Sequence, residues 1–251
     1  MFNAERRQFI LERLRRNGRI VAKELSAELG VSEDTIRRDL RDMAAEGLIQ
    51  RVHGGALLRS PATASYTARQ QQAPSAKHNI AQVAARLVQN GQVIILDGGT
   101  TNVLVAQQLP LDLQATVITN SPPAAIALMG HPHVEVIVIG GRLYKESLVA
   151  MGAATIEALR MIRADLCMLG VCSLHPEIGI SIPNLEEVYV KQAMIASAAE
   201  VVALASPEKL GTAAPYVVAP LSELTYLVTE HEVPETVLAP YAAQGITILK
   251  A

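Results

Sequence analysis

Val31-Ser-Glu-Asp-Thr-Ile-Arg-Arg-Asp-Leu-Arg-Asp-Met-Ala-Ala-Glu-Gly47 is the stretch from which the rest of the chain is read. Ile36, Leu40 and Met43 recur at the spacing of one helical face, which predicts a helix over 32–46 that buries them. Ser32 suits an N-cap, Glu33 and Asp34 meet the positive end of the helix dipole, and Gly47 ends the helix. The opposite face carries Thr35, Arg37, Arg38 and Arg41. A hydroxyl followed by guanidinium groups is a set that reaches base edges and phosphates in a major groove. The competing reading is a solvated face laced by ion pairs four residues apart, such as Arg38 with Asp42. The neighbouring segments decide between them.

Residues 4–17 read as a helix with Phe9, Ile10 and Leu14 inward and Gly18 as its stop. Val21–Leu29 reads as a second helix, and Gly30 turns it into the basic one. After Gly47, Leu48–Leu57 alternates like a strand and turns at Gly54-Gly55, a β wing that brings Arg51 and His53. Residues 3–58 therefore read as a winged helix-turn-helix, with the helix-turn-helix at about 20–39. Its candidate contacts to double-stranded operator DNA are Lys23, Ser32, Thr35, Arg37, Arg38, Arg41, Arg51 and His53.

Charge distribution agrees with that split. The net charge of −2 does not suggest a nucleic-acid binder, but residues 1–59 hold 12 Lys/Arg against 9 Asp/Glu, and the remainder 10 against 15. One module faces phosphate and the other does not. With 50% hydrophobic residues a sizeable core is expected, and no apolar run approaches the ~20 residues that cross a bilayer. Without a signal-peptide pattern the expected location is the cytoplasm. Cys167 and Cys172 lack a metal-site spacing and read as reduced core residues.

Residues 59–75 are polar, interrupted by proline and without sustained periodicity, and read as a linker. From 76 to 251, short Val/Ile-rich runs alternate with helices, the pattern of an α/β domain with a mostly parallel sheet. Ligands in such sheets bind beyond the carboxyl ends of the strands. The residues there are Asp97-Gly98-Gly99-Thr100-Thr101-Asn102, then Asn120 and Ser121, then Gly140-Gly141-Arg142, then Gly170. Glycines admit close backbone approach, helix N-termini attract anions and hydroxyls add donors, so these loops suggest a pocket for a small phosphorylated molecule. Glu187 and Lys191 share a helix face, and Lys209 offers a second cation. Each has a plainer reading, as tight turns or a surface ion pair. There is no P-loop, dinucleotide fingerprint or zinc motif, and His131-Pro-His133 reads as an exposed loop, so no cofactor or metal is expected. The rival reading makes Asp97, Glu187 and Lys191 the acid–base groups of a sugar-phosphate enzyme.

The whole chain resembles the DeoR family of bacterial transcriptional regulators. The resemblance runs through Arg6-Arg7-Gln8-x-Ile10, Val31–Leu40, Gly47-Leu48 and Arg51-Val-His-Gly-Gly-Ala56, then Leu96–Thr101, Val117–Asn120, Gly140-Gly141, Ala164-Asp165 and Glu187 with Lys191-Gln-Ala-Met194. It implies a sensor domain related to the ribose-phosphate isomerase and CoA-transferase folds that binds a sugar phosphate or related metabolite. It further implies repression of a carbohydrate-catabolic operon, relieved by that effector, and a homodimer or homotetramer. One departure stands out. Where the family has an aspartate-x-serine-lysine run this chain has Ser206-Pro-Glu-Lys209, which puts a carboxylate beside the expected phosphate.

Overall fold

The computed structural model describes residues 2–60, 62 and 64–251. The expected linker includes positions 61 and 63, which lie outside the described residues. The chain begins with α1 (Asn3–Asn17), β1 (Arg19–Val21), α2 (Ala22–Leu29) and α3 (Glu33–Ala45), followed by the hairpin of β2 (Ile49–Val52) and β3 (Gly55–Arg59). Ser32 caps α3 by accepting from the Thr35 amide, an interaction worth ~1 kcal/mol. Ile36, Leu40 and Met43 are buried against Ile10, Leu14 and Ile20, so the apolar stripe predicted for this helix is the floor of a small separate core. Val21 does not begin a helix as read from sequence. It ends β1, because Ile20 is needed in that core and the backbone of 19–21 pairs antiparallel with 55–57 of β3. Gly55 permits this contact, since a Cβ there would stand 1.9 Å from the Ile20 carbonyl oxygen.

Under α3 lies an ion pair that periodicity does not reveal. Asp39 is 2% exposed and holds the Arg6 guanidinium from α1 through Nε and Nη2. It locks α1 to the helix that carries the candidate DNA contacts.

The segment between the modules contains α4 (Tyr66–Gln70) and leads into α5 (Pro74–Ala85). The larger unit then alternates β4 (Val93–Leu96), α6 (Thr100–Gln108), β5 (Ala115–Thr119), α7 (Pro122–Ala127) and β6 (Val134–Val138). A hairpin of β7 (Arg142–Tyr144) and β8 (Val149–Met151) follows, then α8 (Ala153–Arg160), β9 (Ala164–Gly170), β10 (Ser173–His175), β11 (Gly179–Ile182) and α9 (Leu185–Ala196). The chain closes with β12 (Ala198–Leu204), β13 (Thr212–Ala213), β14 (Tyr216–Ala219), β15 (Tyr226–Thr229), α10 (Glu235–Ala242) and β16 (Thr247–Lys250). Seven of these strands form one sheet in the order β16-β15-β12-β9-β4-β5-β6, with every pairing parallel. One face packs on α5 and α6 through Ile80, Ala84 and Val105; the other packs on α8 and α9 through Leu159 and Met194. The hairpin β7–β8 and the small sheet β10-β11-β14 have runs of only three or four residues, too short for periodicity to flag.

The strand order places the functional crevice. Leaving β4 the chain winds outward through β5 to β6, then returns to β9 and winds the other way. The connections leaving neighbouring strands β4 and β9 therefore run in opposite directions, and such switch points are where open α/β sheets bind ligands. Among the described residues, no helix is long and apolar enough to cross a membrane.

Candidate functional site

On the head, Lys23, Ser32, Arg37, Arg38, Arg41, Arg51 and His53 are exposed and Thr35 is half-buried. Arg51 and His53 sit at the tip of the β2–β3 hairpin, the other basic residues on or beside the outer face of the helix-turn-helix. The expected Arg38–Asp42 pair is not formed; Glu33 instead pairs with Arg37, Nη2 to Oε1 2.6 Å. Arg38, Arg41, Arg51 and Lys23 make no ion pair among the described residues, which leaves them free for phosphate. Ser32 and Thr35 share a hydroxyl–hydroxyl hydrogen bond of 2.8 Å at the start of the helix.

The crevice at the switch point holds a small cavity lined by residues from both halves of the sheet. Of the residues singled out from sequence, Gly98, Gly99, Thr100, Thr101, Asn102, Gly170, Glu187, Lys191 and Lys209 line it. The first turn of α6 thus faces the cavity with amides that have no partner within the helix. Gly170 is required here by packing, since a Cβ would lie 2.2 Å from the Gly98 carbonyl oxygen.

Six residues fall elsewhere. Asn120, Ser121, Gly140, Gly141 and Arg142 do not line the cavity, because the β7–β8 hairpin folds over the ends of β5 and β6. Asn120 donates through Nδ2 to the Ala150 carbonyl at 3.0 Å, the Gly140 carbonyl accepts from Thr155 Oγ1 at 2.8 Å, and Arg142 pairs on the surface with Glu186. Asp97, 2% exposed, is spent on structure. One carboxylate oxygen accepts from the Gly98 amide at 2.6 Å, and the other accepts from the Gly170 amide at 2.8 Å and from Lys191. Lys191 also donates to the Gly170 carbonyl at 2.7 Å and lies 3.4 Å from Glu187. Burial alone would lower the Lys191 pKa, but Asp97 and Glu187 hold it raised, so this ammonium keeps its proton. The pair is a clamp that fixes the loops after β4 and β9 against each other.

Among the lining residues the sequence reading missed are Arg69, Gln72, Lys77 and Ser147, and it placed no ligand on the segment that supplies the first two. Arg69 extends from α4 across the Tyr66 ring, 5.9 Å from its centroid, and its buried Nε has no partner among the described residues. Lys77, 4% exposed, donates only to the Arg69 carbonyl. Lys209 has a single long bond, 3.4 Å to the Leu204 carbonyl, and burial pulls its pKa down to about 8. Burial lowers Lys77 as well. None of these three cations has an ion-pair partner among the described residues. Glu208 reaches the same cavity, but its carboxylate accepts from Ser206 Oγ at 2.5 Å. Asn102 donates to the carbonyls of Asp97 and Met168, which leaves its buried Oδ1 without a donor. The two non-glycine residues with left-handed backbone, Ala73 (φ 42°) and Leu148 (φ 52°), adjoin cavity residues Gln72 and Ser147, and such strain persists where the surroundings impose it. Cys172 lines the cavity while Cys167 is buried beneath, and both are free thiols raised in pKa by burial. Of the two histidines expected on an exposed loop, His131 is buried and bonds the Leu109 carbonyl at 3.0 Å.

Fold and sites together define a helix-turn-helix regulator with a ligand-sensing α/β domain. Known proteins agree. A family model described as the DeoR-like helix-turn-helix domain matches residues 6–62, and one described as the DeoR C terminal sensor domain matches residues 72–231. The transcriptional repressor GlcR of Bacillus subtilis is 36% identical over 92% of this chain and 89% of its own length. The regulator GlpR of Haloferax volcanii is 33% identical over 99% and 98%, and the glycerol-3-phosphate regulon repressor of Haemophilus influenzae 34% identical over 93% and 91%. Ribose 5-phosphate isomerase A from Methanocaldococcus jannaschii aligns with 53% of this chain and 52% of its own at a TM-score of 0.38 and 18% identity. The chain belongs to the DeoR family of transcriptional regulators.

Proposed function

We propose that this chain is a cytoplasmic repressor of a carbohydrate-catabolic operon, released from its operator by a sugar phosphate bound at the switch-point cavity. The observation that carries the reading is the trio Arg69, Lys77 and Lys209, largely buried around one cavity and making no ion pair among the described residues, with Glu208 on the same wall only partly offsetting the charge of Lys77 and Lys209. Buried cations are costly unless compensated, so the cavity is built for an anion. The unpartnered Asn102 Oδ1 and the hydroxyls of Thr100 and Thr101 suit the polyol part of such a ligand. The printed name of one relative, a glycerol-3-phosphate regulon repressor, supports a phosphorylated polyol. Glu208, tied to Ser206, adds an acceptor for ligand hydroxyls at the cationic end.

The geometry favours an effector over a substrate: of the three acid–base candidates, Asp97 and Lys191 are bonded to each other and to backbone, and Glu187, which lines the cavity, lies 3.4 Å from the Lys191 ammonium. The ligand acts as a reversible effector, no cofactor takes part, and a homodimer or homotetramer presents the heads in pairs to a two-fold operator.

The test is a mobility-shift assay on the DNA flanking the chain's own gene, titrated with a panel of sugar phosphates. One member of the panel is expected to release the wild-type protein. Thr100→Ala and Lys209→Ala are expected to bind the same DNA and resist release. Release of both variants at wild-type concentrations contradicts the assignment of the cavity.

A further inference from the structure

One short segment, Ser206–Ala213, belongs to both halves of the molecule. Its first part is cavity wall, where Glu208 and Lys209 line the cavity with Arg69 and Lys77. Its last part is β13, and Thr212 and Ala213 pair in parallel with Leu58 and Arg59 of the wing strand β3. Strand β1 covers the same edge of β3 only as far as Leu57, so β13 takes over where β1 stops. The head is thus held to the sensor by strand addition at the base of the wing.

Within the segment the connection is stiff. Thr212 Oγ1 donates to the Lys209 carbonyl at 2.7 Å, which ties the cavity residue to the paired residue. Gly211, with φ +68°, sits between them, and its amide lies 2.8 Å from the Leu174 carbonyl and 2.9 Å from the Tyr241 hydroxyl. That hydroxyl donates in turn to the Leu174 carbonyl at 2.8 Å. Gly211 is therefore anchored at its bend through its amide. Two further ties cross between the modules, Arg19 Nη1 to Glu177 Oε1 at 2.5 Å and Ser60 Oγ to the Cys172 carbonyl at 2.5 Å. The second of these again ends on a cavity residue.

We infer that the segment from Pro207 to Ala213 is the lever through which the sensor cavity controls the wing. An anion drawn to Lys209 orders the turn at 207–209, Thr212 follows through its hydroxyl, and β13 closes on the base of β3. The far end of β3 carries the turn that presents Arg51 and His53, so a grip at Leu58 and Arg59 sets where those residues can reach. A two-residue strand at the end of an edge is a weak contact, of the kind that opens locally and that a bound ligand can bias. The inference rests on reading the cavity as an anion site.

Hydrogen exchange of the full-length protein tests it, with and without millimolar inorganic phosphate as the probe. In the wild type, phosphate is expected to slow exchange in peptides covering 98–102 and also in those covering 55–60, the latter by roughly threefold or more. Thr212→Val removes the hydroxyl bond to Lys209 and keeps the backbone pairing. It is expected to retain the slowing at 98–102 and lose it at 55–60. Slowing at 98–102 in the wild type with no change at 55–60 overturns the lever and leaves the anion site standing. An undiminished response at 55–60 in Thr212→Val also overturns it. No slowing in either region removes the anion site and the lever with it.

Discussion

In the head, a buried Arg6–Asp39 pair underlies exposed, unpaired cations at Arg38, Arg41 and Arg51; in the sensor, a buried Asp97–Lys191 pair underlies largely buried, unpaired cations at Arg69, Lys77 and Lys209. The paired charges have their valences filled by protein and serve as scaffold. The unpaired ones are what each module offers to a phosphate. The two modules differ in solvent. Exposed cations cost the head little and present a screened, salt-sensitive surface to DNA, whereas buried cations raise the energy of the empty sensor until an anion arrives. The low pKa of Lys209 is the direct sign of that cost.

The largest expected effect breaks a scaffold pair. Lys191→Met leaves the buried Asp97 with two backbone amides but no cation, and the loss of about 3–5 kcal/mol should lower the melting temperature by roughly 6–20 °C in a thermal scan. A fall no larger than that of a surface Lys→Met control would mean that the clamp carries little. Next in size is the exposed surface of the head. Arg38→Ala should weaken operator binding by roughly 10- to 150-fold without changing ligand binding, while Arg37→Ala, already engaged by Glu33, should cost less. Equal losses for the two, measured by fluorescence anisotropy, would remove the distinction between paired and unpaired arginines.

The smallest effect distinguishes Lys209 from Lys191 by pH. A lysine whose folded pKa is depressed holds fewer protons than its unfolded form between about 8 and its ordinary 10.5, so its contribution to stability rises with pH across that window. Anion binding runs the other way, since only the ammonium attracts it. Phosphate affinity should fall roughly five- to tenfold between pH 7.5 and 9 by calorimetry, and Lys209→Arg should flatten the curve. A flat wild-type profile would place the phosphate away from Lys209.

The difference between the modules also explains what could be read from the sequence. The outer face of the helix, with Thr35, Arg37, Arg38 and Arg41, was legible because its buried face is periodic. The parallel sheet was legible from Val/Ile runs such as Val93–Leu96, and Gly98–Asn102 from their place after the first strand. Arg69 was hidden because α4 is five residues long and sits in a stretch whose composition resembles a linker. It is fixed by tertiary contacts, among them the Tyr66 amide on the Glu146 carbonyl at 2.8 Å, that no local pattern encodes. Asp97 read as a ligand for the same reason in reverse. A carboxylate at a strand end has the same sequence signature whether it faces a metabolite or, as here, two backbone amides and a lysine. The β7–β8 hairpin that removes Asn120, Gly140 and Arg142 from the cavity has strands of three residues, again below the reach of periodicity.

The central claim is that unpaired buried cations make the sensor cavity a phosphate site. Thermal-shift measurement on the full-length protein, with each sugar phosphate run beside its unphosphorylated sugar, tests it directly. A ligand at a hundredfold excess over its Kd adds about 2.7 kcal/mol to stability. At least one phosphorylated compound should raise the melting temperature where its parent sugar does not, and Lys77→Met and Lys209→Met should each abolish that rise. Equal stabilisation by the free sugar, or a rise preserved in both variants, would contradict the account.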